Sequence, residues 1–276
     1  MLVCSASRRR RYALVEHVMV RIALGLEYDG RNFCGWQTQS AGCSVQDALQ
    51  RALTSIAGHP VEVVAAGRTD AGVHAAMQVV HFDAQFDRPA SAWVRGVNSF
   101  LPDSVAVLWA CVVTQEFHAR FSALARSYRY VLLNHPVRPA LQAGKAGWFH
   151  APLALEPMHE AAQLLIGTHD FSAFRAAACQ AKSPVRELRS LEIRRDGDRI
   201  LFDLSANAFL HHMVRNIVGA LVYVGKGRYP SHWVAELLQQ RERKLAAPTF
   251  APDGLYLSAV QYADEWGLPT AQRIDL

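Results

Sequence analysis

The chain has 276 residues, of which 51% are hydrophobic and 19% charged, and its formal net charge is +5. This length predicts one large or two ordinary domains, with a core that needs no disulfide or metal for support. No uncharged apolar run reaches the about 20 residues of a membrane-spanning helix, and the N-terminus lacks the features of a signal peptide. We therefore expect a cytoplasmic protein.

The positive charge and the cysteines are unevenly distributed. Residues 1–18 carry four arginines and a net charge of +3, which leaves +2 for the rest of the chain. We expect residues 1–18 to be a disordered tail, and Met19 is an alternative start. The five cysteines are odd in number and form no C-x-x-C pair. They predict reduced thiols rather than a disulfide framework or a zinc ribbon.

The first half of the chain, residues 19–115, predicts elements in the order β-α-β-β-α-β. Apolar residues alternate with others from Val20, which is typical of a half-buried strand. Ser44 and Asp47 resemble a capping box, and the apolar helical face that follows ends at Gly58. The other predicted elements are strands over 61–66, 76–82 and 105–113 and a helix over 90–100.

The second half, residues 116–265, predicts a variation on the same order. A hairpin is expected to turn at Asp196-Gly197-Asp198. The predicted elements are strands over 126–133 and 255–262, the hairpin over 188–205, and helices over 157–166, 208–224 and 231–241. We therefore predict an α+β fold of two related split-βαβ (ferredoxin-like) halves, which form an extended, mostly antiparallel sheet with helices on one face. Residues 266–276 are expected to form a tail.

The loop between the second and third predicted strands carries Arg68 and Asp70. Its glycines are spaced like those of a phosphate-binding loop, but Val73 and His74 stand where such a loop needs Lys and Ser or Thr, so we reject that interpretation. Two interpretations remain open. The loop is either a turn in which Asp70 caps backbone amides, or a site that combines a carboxylate with a guanidinium.

Residues 117–130, FHARFSALARSYRY, carry three arginines and no acid, interleaved with four aromatic residues. Basic residues for phosphates and aromatic residues for bases are what the recognition of looped RNA requires. An ordinary strand, with its aromatic residues in the core and its arginines in solvent, explains the pattern equally well. Both interpretations stay open from the pattern alone.

Residues 206–219, ANAFLHHMVRNIVG, predict part of an apolar helix that contains two histidines and an arginine. Adjacent residues point about 100° apart on a helix, so His211 and His212 are not expected to share a metal ion. Arg215 needs a partner, because an unpaired buried charge is costly. Asp70 would serve as that partner.

Together these motifs resemble the bacterial tRNA pseudouridine synthase A family. The resemblance runs from about Val20 to about Tyr262, and its motifs follow one another in the family's order. The segments that carry it are YDGRNFCGWQ (28–37), SVQDAL (44–49), GRTDAGVHA (67–75), RGVNSFLP (95–102), FHARFSALARSYRY (117–130), ANAFLHHMVRNIVG (206–219) and GLYL (254–257).

The resemblance implies an isomerase that converts uridine to pseudouridine at positions 38–40 of the tRNA anticodon stem-loop. It also implies an RNA-binding cleft, a homodimer, and catalysis without a metal or organic cofactor. The essential aspartate of the family falls on Asp70, which would assist the departure of uracil as a nucleophile or by stabilising an oxocarbenium-like sugar. Attack at C6 of uracil, attack at C1′ and a glycal route all remain open.

The resemblance also implies roles for other residues. Arg68 would take the place of the flipped nucleotide, and Tyr128 would stack on the target base and could act on a proton. Arg215 would pair with Asp70, and Leu255 would pack beneath the base. The segments implied to contact tRNA contain Arg88, Phe117, His118, Ala119, Arg120, Phe121, Ala178, Cys179, Gln180, Ala181 and Lys182. Ser127 stands where the family usually has an arginine, which leaves one phosphate contact open.

Two other functions compete with this one. A non-catalytic RNA-binding or RNA-chaperone protein would use the same basic cleft, but it has no need of a buried carboxylate close to RNA phosphates. A hydrolase of nucleosides with a carboxylate nucleophile would act on a small substrate, and the basic and aromatic residues 117–130 would then be superfluous. Activity on free uridine would favour the hydrolase.

Overall fold

The computed structural model describes residues 19–86 and 88–269. The tail predicted for residues 1–18 lies outside the described residues, and so does most of the tail predicted at the C-terminus. Within its described part, Trp266 packs edge-on against Phe117, with ring centroids 5.3 Å apart, and Leu268 packs against the core.

The described residues form ten strands and five α-helices. The strands are β1 (Val20–Tyr28), β2 (Val64–Ala65), β3 (His74–Ala84), β4 (Val105–Val113), β5 (Ala125–Asn134), β6 (Gly147–Phe149), β7 (Gly167–Asp170), β8 (Val185–Asp196), β9 (Arg199–Ala206) and β10 (Leu255–Gln261). The helices are α1 (Val45–Ala57), α2 (Ala90–Asn98), α3 (Leu155–Leu165), α4 (Met213–Gly225) and α5 (Trp233–Gln240). The capping box predicted for α1 is present, since the side chain of Ser44 accepts from the backbone N–H of Asp47 and the Asp47 carboxylate accepts in return.

All ten strands belong to one sheet, whose main path is β4-β1-β3-β10-β5-β9-β8-β7, with β2 paired to β3 and β6 paired to β5. In the first half the strands lie in the order β4-β1-β3-β2, and in the second half in the order β10-β5-β9-β8. These are the same arrangement of a split βαβ unit, repeated. The predicted α+β fold of two related halves is therefore confirmed, while its domain boundaries stay a prediction.

Strand β10 joins the two halves of the sheet. It runs parallel to β3, with Tyr256 beside His74, and antiparallel to β5, with Leu257 beside Tyr128. Buried side chains of both halves and of all five helices form one core cluster, as expected when the helices cover one face. The site described below lies at this junction, because the connection before β3 and the first residue of β10 meet there.

Several elements differ from the sequence prediction. The segment 61–66 is extended with alternating burial, but only Val64 and Ala65 pair with β3, so β2 is shorter than expected. The helix expected from residue 208 begins only at Met213, because His212 adopts a left-handed backbone with φ 63°. The short strands β6 and β7 were not predicted.

The prediction of reduced thiols is wrong for one pair of cysteines. Cys34 and Cys43 are joined by a disulfide in the structure. The chain between them folds back on itself, and the Cys34 N–H donates to the Cys43 carbonyl oxygen at 3.1 Å, which brings the two side chains together. Within the described residues, no helix combines the length and the apolar character required to span a bilayer.

Candidate active site

Asp70 lies in the connection between β2 and β3, residues 66–73, which we call the Asp70 loop. Three contacts hold this loop in place. The Trp36 N–H donates to the Thr69 carbonyl oxygen at 2.9 Å, the hydroxyls of Tyr28 and Thr69 lie 2.8 Å apart, and the Val73 N–H donates to the Asp70 carbonyl oxygen at 3.2 Å. The loop is therefore braced against β1 and the segment before α1.

Arg215 holds the Asp70 carboxylate from the opposite side of the site. It lies in the first turn of α4, and its Nη1 donates to Asp70 Oδ2 at 3.0 Å. Its Nε donates to the Phe250 carbonyl oxygen at 2.8 Å, so the guanidinium is fixed at two points. The structure thus contains the ion pair that the sequence predicted, formed between residues 145 positions apart.

Two histidines also face the same carboxylate, which the sequence did not predict. His211 Nε2 lies 3.2 Å from Asp70 Oδ1, and His212 Nε2 lies 3.4 Å from Asp70 Oδ2. The premise that both histidines lie on the helix is wrong. Helix α4 begins after them, and the left-handed backbone of His212 turns both rings towards Asp70, with their centroids 4.0 Å apart.

Tyr128 and Leu255 form the apolar side of the site. Tyr128 is buried, and its ring packs edge-on against Phe209 with centroids 5.0 Å apart. Burial raises the pKa of the Tyr128 phenol above its ordinary value, so this side chain is a neutral phenol at physiological pH. Leu255 is 5% exposed. Both residues border the same cleft as Asp70, which gives a dry surface beside a charged one.

The cleft has a volume of about 1160 Å³ and is lined by residues of both halves of the chain. Arg68 lies exposed beside Asp70, and its Nη1 is 3.5 Å from Oε1 of Gln180 across the cleft. Arg120 also lines the cleft. A carboxylate with arginines and a buried tyrosine around it suits a large anionic substrate that presents one reacting group.

Comparisons with known proteins show to which family the chain belongs. A model of the tRNA pseudouridine synthase family matches residues 26–122 and 161–263. A tRNA pseudouridine synthase A of Dechloromonas aromatica (strain RCB) is 61% identical over 250 residues, which cover 91% of this chain and 95% of that protein. Another, of Methylobacillus flagellatus, is 59% identical over 254 residues, which cover 92% and 97%. The chain belongs to the tRNA pseudouridine synthase family.

By this membership the protein is an isomerase that converts uridine to pseudouridine in tRNA. A solved structure, the crystal structure of a Cbf5-Nop10-Gar1 complex, is also similar, with a TM-score of 0.34 and 9% identity. The match covers 86% of this chain but only 48% of that chain, so this chain spans about half of its length. A similarity this weak supports no conclusion about the fold or the function of this chain.

The structure brings some of the predicted tRNA-contacting residues to the cleft and places others elsewhere. Those that line the cleft are Arg68, Arg120, Ala178, Cys179, Gln180 and Ala181. Phe117 and Ala119 are fully buried, so their side chains pack in the core. Arg88 and Lys182 are exposed outside the cleft lining.

Phe121 lies on the surface next to His118 and Arg120. Its side chain is 76% exposed, and its ring stacks on His118 with centroids 4.3 Å apart. The Arg120 guanidinium lies 5.6 Å from the centre of the Phe121 ring. Within residues 117–121, these three side chains are the ones available to RNA.

Arg126 is a residue of the site that the sequence analysis did not single out. It is buried, and its guanidinium donates to the carbonyl oxygens of Ala66, Arg120, Ala123 and Asn207 at 2.6 to 3.1 Å. These carbonyls belong to three segments around the cleft, so Arg126 ties them together. The sequence signal that could have identified Arg126 is an arginine within a strand of apolar residues, because a buried charge needs hydrogen-bond partners.

Proposed function

We propose that the protein converts uridine to pseudouridine at positions 38–40 of the tRNA anticodon stem-loop, with Asp70 as the nucleophile and the target nucleotide flipped out of the stem. The observation that carries this proposal is the position of the Asp70 carboxylate. It lies in a cleft bordered by arginines, beside a buried tyrosine and 3.0 Å from Arg215.

The chemistry of the reaction suits this carboxylate. Pseudouridine formation breaks the N-glycosidic bond, turns the uracil, and joins its C5 to C1′ of the ribose. A carboxylate assists the departure of uracil by attacking carbon or by stabilising a cationic sugar. Because Arg215 contacts Oδ2 of Asp70 at 3.0 Å, it restricts the orientation of the carboxylate in the cleft.

The target base must leave its helix before Asp70 can reach it. Arg68, two residues before Asp70, is exposed at the cleft and has the length and charge to fill the space that the base vacates. The extracted uracil would stack on Tyr128 and rest on Leu255. Removal of this apolar surface from water strengthens the electrostatic contacts of Asp70.

The distribution of charge supports tRNA as the substrate. Residues 117–130 carry a net charge of +3, and residues 173–195 carry +4, and parts of both segments line the cleft. A tRNA backbone is the kind of partner that such basic segments bind. The proposal includes a homodimer, because a tRNA is larger than the basic surface of one chain, and it places the reaction in the cytoplasm without a metal or an organic cofactor.

The substitution Asp70→Asn tests the proposal. We expect it to abolish the release of tritium from tRNA labelled with [5-³H]uridine, while tRNA binding measured by filter retention persists. Asp203→Asn is the control, because Asp203 pairs with Arg129 and neither residue lines the cleft. Turnover retained in Asp70→Asn would contradict the proposal. Mapping of pseudouridines in the product decides the positions.

A further inference from the structure

We propose that Asp70, His211 and His212 form a binding site for Zn²⁺ or a similar divalent transition metal, and that the bound ion blocks the reaction. The three residues each offer one ligand atom, and these atoms all lie within 4.8 Å of one another. Two imidazoles and one carboxylate are a common ligand set for Zn²⁺ and its neighbours.

The spacing of the ligand atoms fits a metal. Zn²⁺ binds nitrogen and oxygen ligands at about 2.0–2.1 Å, which sets tetrahedral ligand atoms about 3.3 Å apart. His211 Nε2 lies 3.2 Å from Oδ1 of Asp70 and His212 Nε2 lies 3.4 Å from Oδ2, and one ligand atom from each residue can be chosen so that all three lie within 4.8 Å of one another. A bound metal would draw these side chains closer together around one carboxylate oxygen.

The local backbone supports the same assignment. His212 has a φ of 63°, and among the described residues only Arg241 is another non-glycine with positive φ. Such a conformation is costly for a residue with a side chain, and in it His212 Nε2 lies 3.4 Å from Asp70 Oδ2. The histidines are 40% and 28% exposed, so an ion from solvent can reach them.

Arg215 limits the affinity of this site. Its guanidinium lies 3.0 Å from Asp70 Oδ2, and its positive charge opposes a second cation at the same carboxylate. We therefore expect binding in the micromolar range rather than the tight binding of structural zinc sites. An ion bound to Asp70 occupies the carboxylate that the proposed function needs, so we expect the reaction to stop while the ion is bound.

Titration of the full-length protein with ZnCl₂ in a calorimeter tests the site without relying on activity. We expect one ion per chain, and at least about tenfold weaker binding after His211→Gln, His212→Gln or Asp70→Asn. His232→Gln is the matched control, because His232 lies 3.5 Å from the Glu236 carboxylate without belonging to a cluster of three ligands in the described residues. Its affinity for Zn²⁺ should equal that of the unsubstituted protein.

Titration with Co²⁺ separates this site from binding to the free thiols. Ligation by imidazole and carboxylate gives visible absorption without the near-ultraviolet charge-transfer band of a thiolate. A thiolate band, or an affinity unchanged in all three variants, would overturn the proposal. Circular dichroism of each variant shows whether a loss of metal binding reflects a loss of folded structure. Asp70→Asn is nearly isosteric, so we expect this variant to stay folded.

The inhibition, unlike the binding, rests on the proposed function. ZnCl₂ should lower the initial rate of pseudouridine formation, and chelation with EDTA should restore it. If the protein makes no pseudouridine at all, the proposed function fails while the calorimetric result still stands. If it makes pseudouridine at an unchanged rate with the metal site saturated, the inhibitory role fails alone.

Discussion

The two halves of the molecule share one plan but differ in the connection between the second and third strands of the repeated split-βαβ unit. These strands are β2 and β3 in the first half and β8 and β9 in the second half. In the second half, β8 and β9 are joined by a turn of two residues, and Gly197 in that turn has no atom within 4 Å of its added Cβ position. In the first half, the equivalent connection is the eight-residue Asp70 loop. The repeated strands build the sheet, and the longer connection carries Asp70, on which the proposed reaction depends.

A second difference concerns the connection from the third strand of each unit to the helix that follows it. The two connections are similar in length, residues 85–89 before α2 and residues 207–212 before α4. Only the second one carries side chains to the site, since His211 and His212 lie 3.2 and 3.4 Å from the Asp70 carboxylate. The site therefore arises where the Asp70 loop of one half meets the connection before α4 of the other. Neither half has the complete set of residues.

The strongest test of this comparison is the ion pair that crosses between the halves. Arg215→Gln removes the cationic partner of Asp70, and we expect kcat/KM for pseudouridine formation to fall about 100-fold or more. Arg129→Gln is the matched control. Arg129 pairs with Asp203 at 2.7 Å, within the second half, and this pair contributes about 1 kcal/mol or less to stability.

Initial rates of tritium release, measured over a range of tRNA concentrations, separate kcat from KM for both variants. We expect the Arg129→Gln enzyme to keep the kcat of the unsubstituted protein. Equal losses in the two variants would mean that the ion pair between the halves has no special part in the reaction.

Much of the fold could be predicted from the sequence. Alternating apolar residues identified the longer strands, and the Ser44–Asp47 pair fixed the start of α1. The ion pair of Asp70 with Arg215 was anticipated because an arginine in a largely apolar helix needs a partner, and the family resemblance implies the same pair. These features were accessible because each depends on a local pattern or on a charge that must be compensated.

The remaining features depend on contacts between distant segments. The left-handed backbone of His212 has no local signal, since glycine usually occupies such positions. The four carbonyl partners of Arg126 come from three separate segments. The Cys34–Cys43 disulfide depends on how the chain folds between them. None of these can be read from spacing, because each is set by tertiary packing.

A smaller effect is expected from the glycine that packs under the Asp70 loop. Gly35 has a φ of 98°, and a Cβ added there would lie 2.8 Å from the Thr69 carbonyl oxygen. Gly35→Ala must therefore shift the backbone next to Asp70, and we expect kcat to fall on the order of tenfold, because small displacements of reacting groups slow a reaction.

Gly197→Ala is the control for Gly35→Ala, and it lies in the short connection of the second half. Its φ of 57° also disfavours a side chain, at a cost of about 1 kcal/mol, but nothing surrounds it. Urea unfolding should show destabilisation of both variants, and kinetics should show a slower reaction only for Gly35→Ala. A normal kcat in Gly35→Ala would show that the loop tolerates displacement.

The smallest expected effect is that of Tyr130→Phe, which we compare with Tyr128→Phe on the same face of β5. The Tyr130 hydroxyl donates to the Ala251 carbonyl oxygen at 2.8 Å, so Tyr130→Phe should lower the free energy of unfolding by about 1 kcal/mol and leave kcat unchanged. Tyr128 borders the cleft, whereas Tyr130 does not line it. Tyr128→Phe should reverse this result, with kcat at least about tenfold lower and nearly unchanged stability. Urea unfolding and tritium release on both variants measure the two effects. If Tyr130→Phe slowed the reaction as much as Tyr128→Phe, the chemistry would not be confined to the junction between the halves.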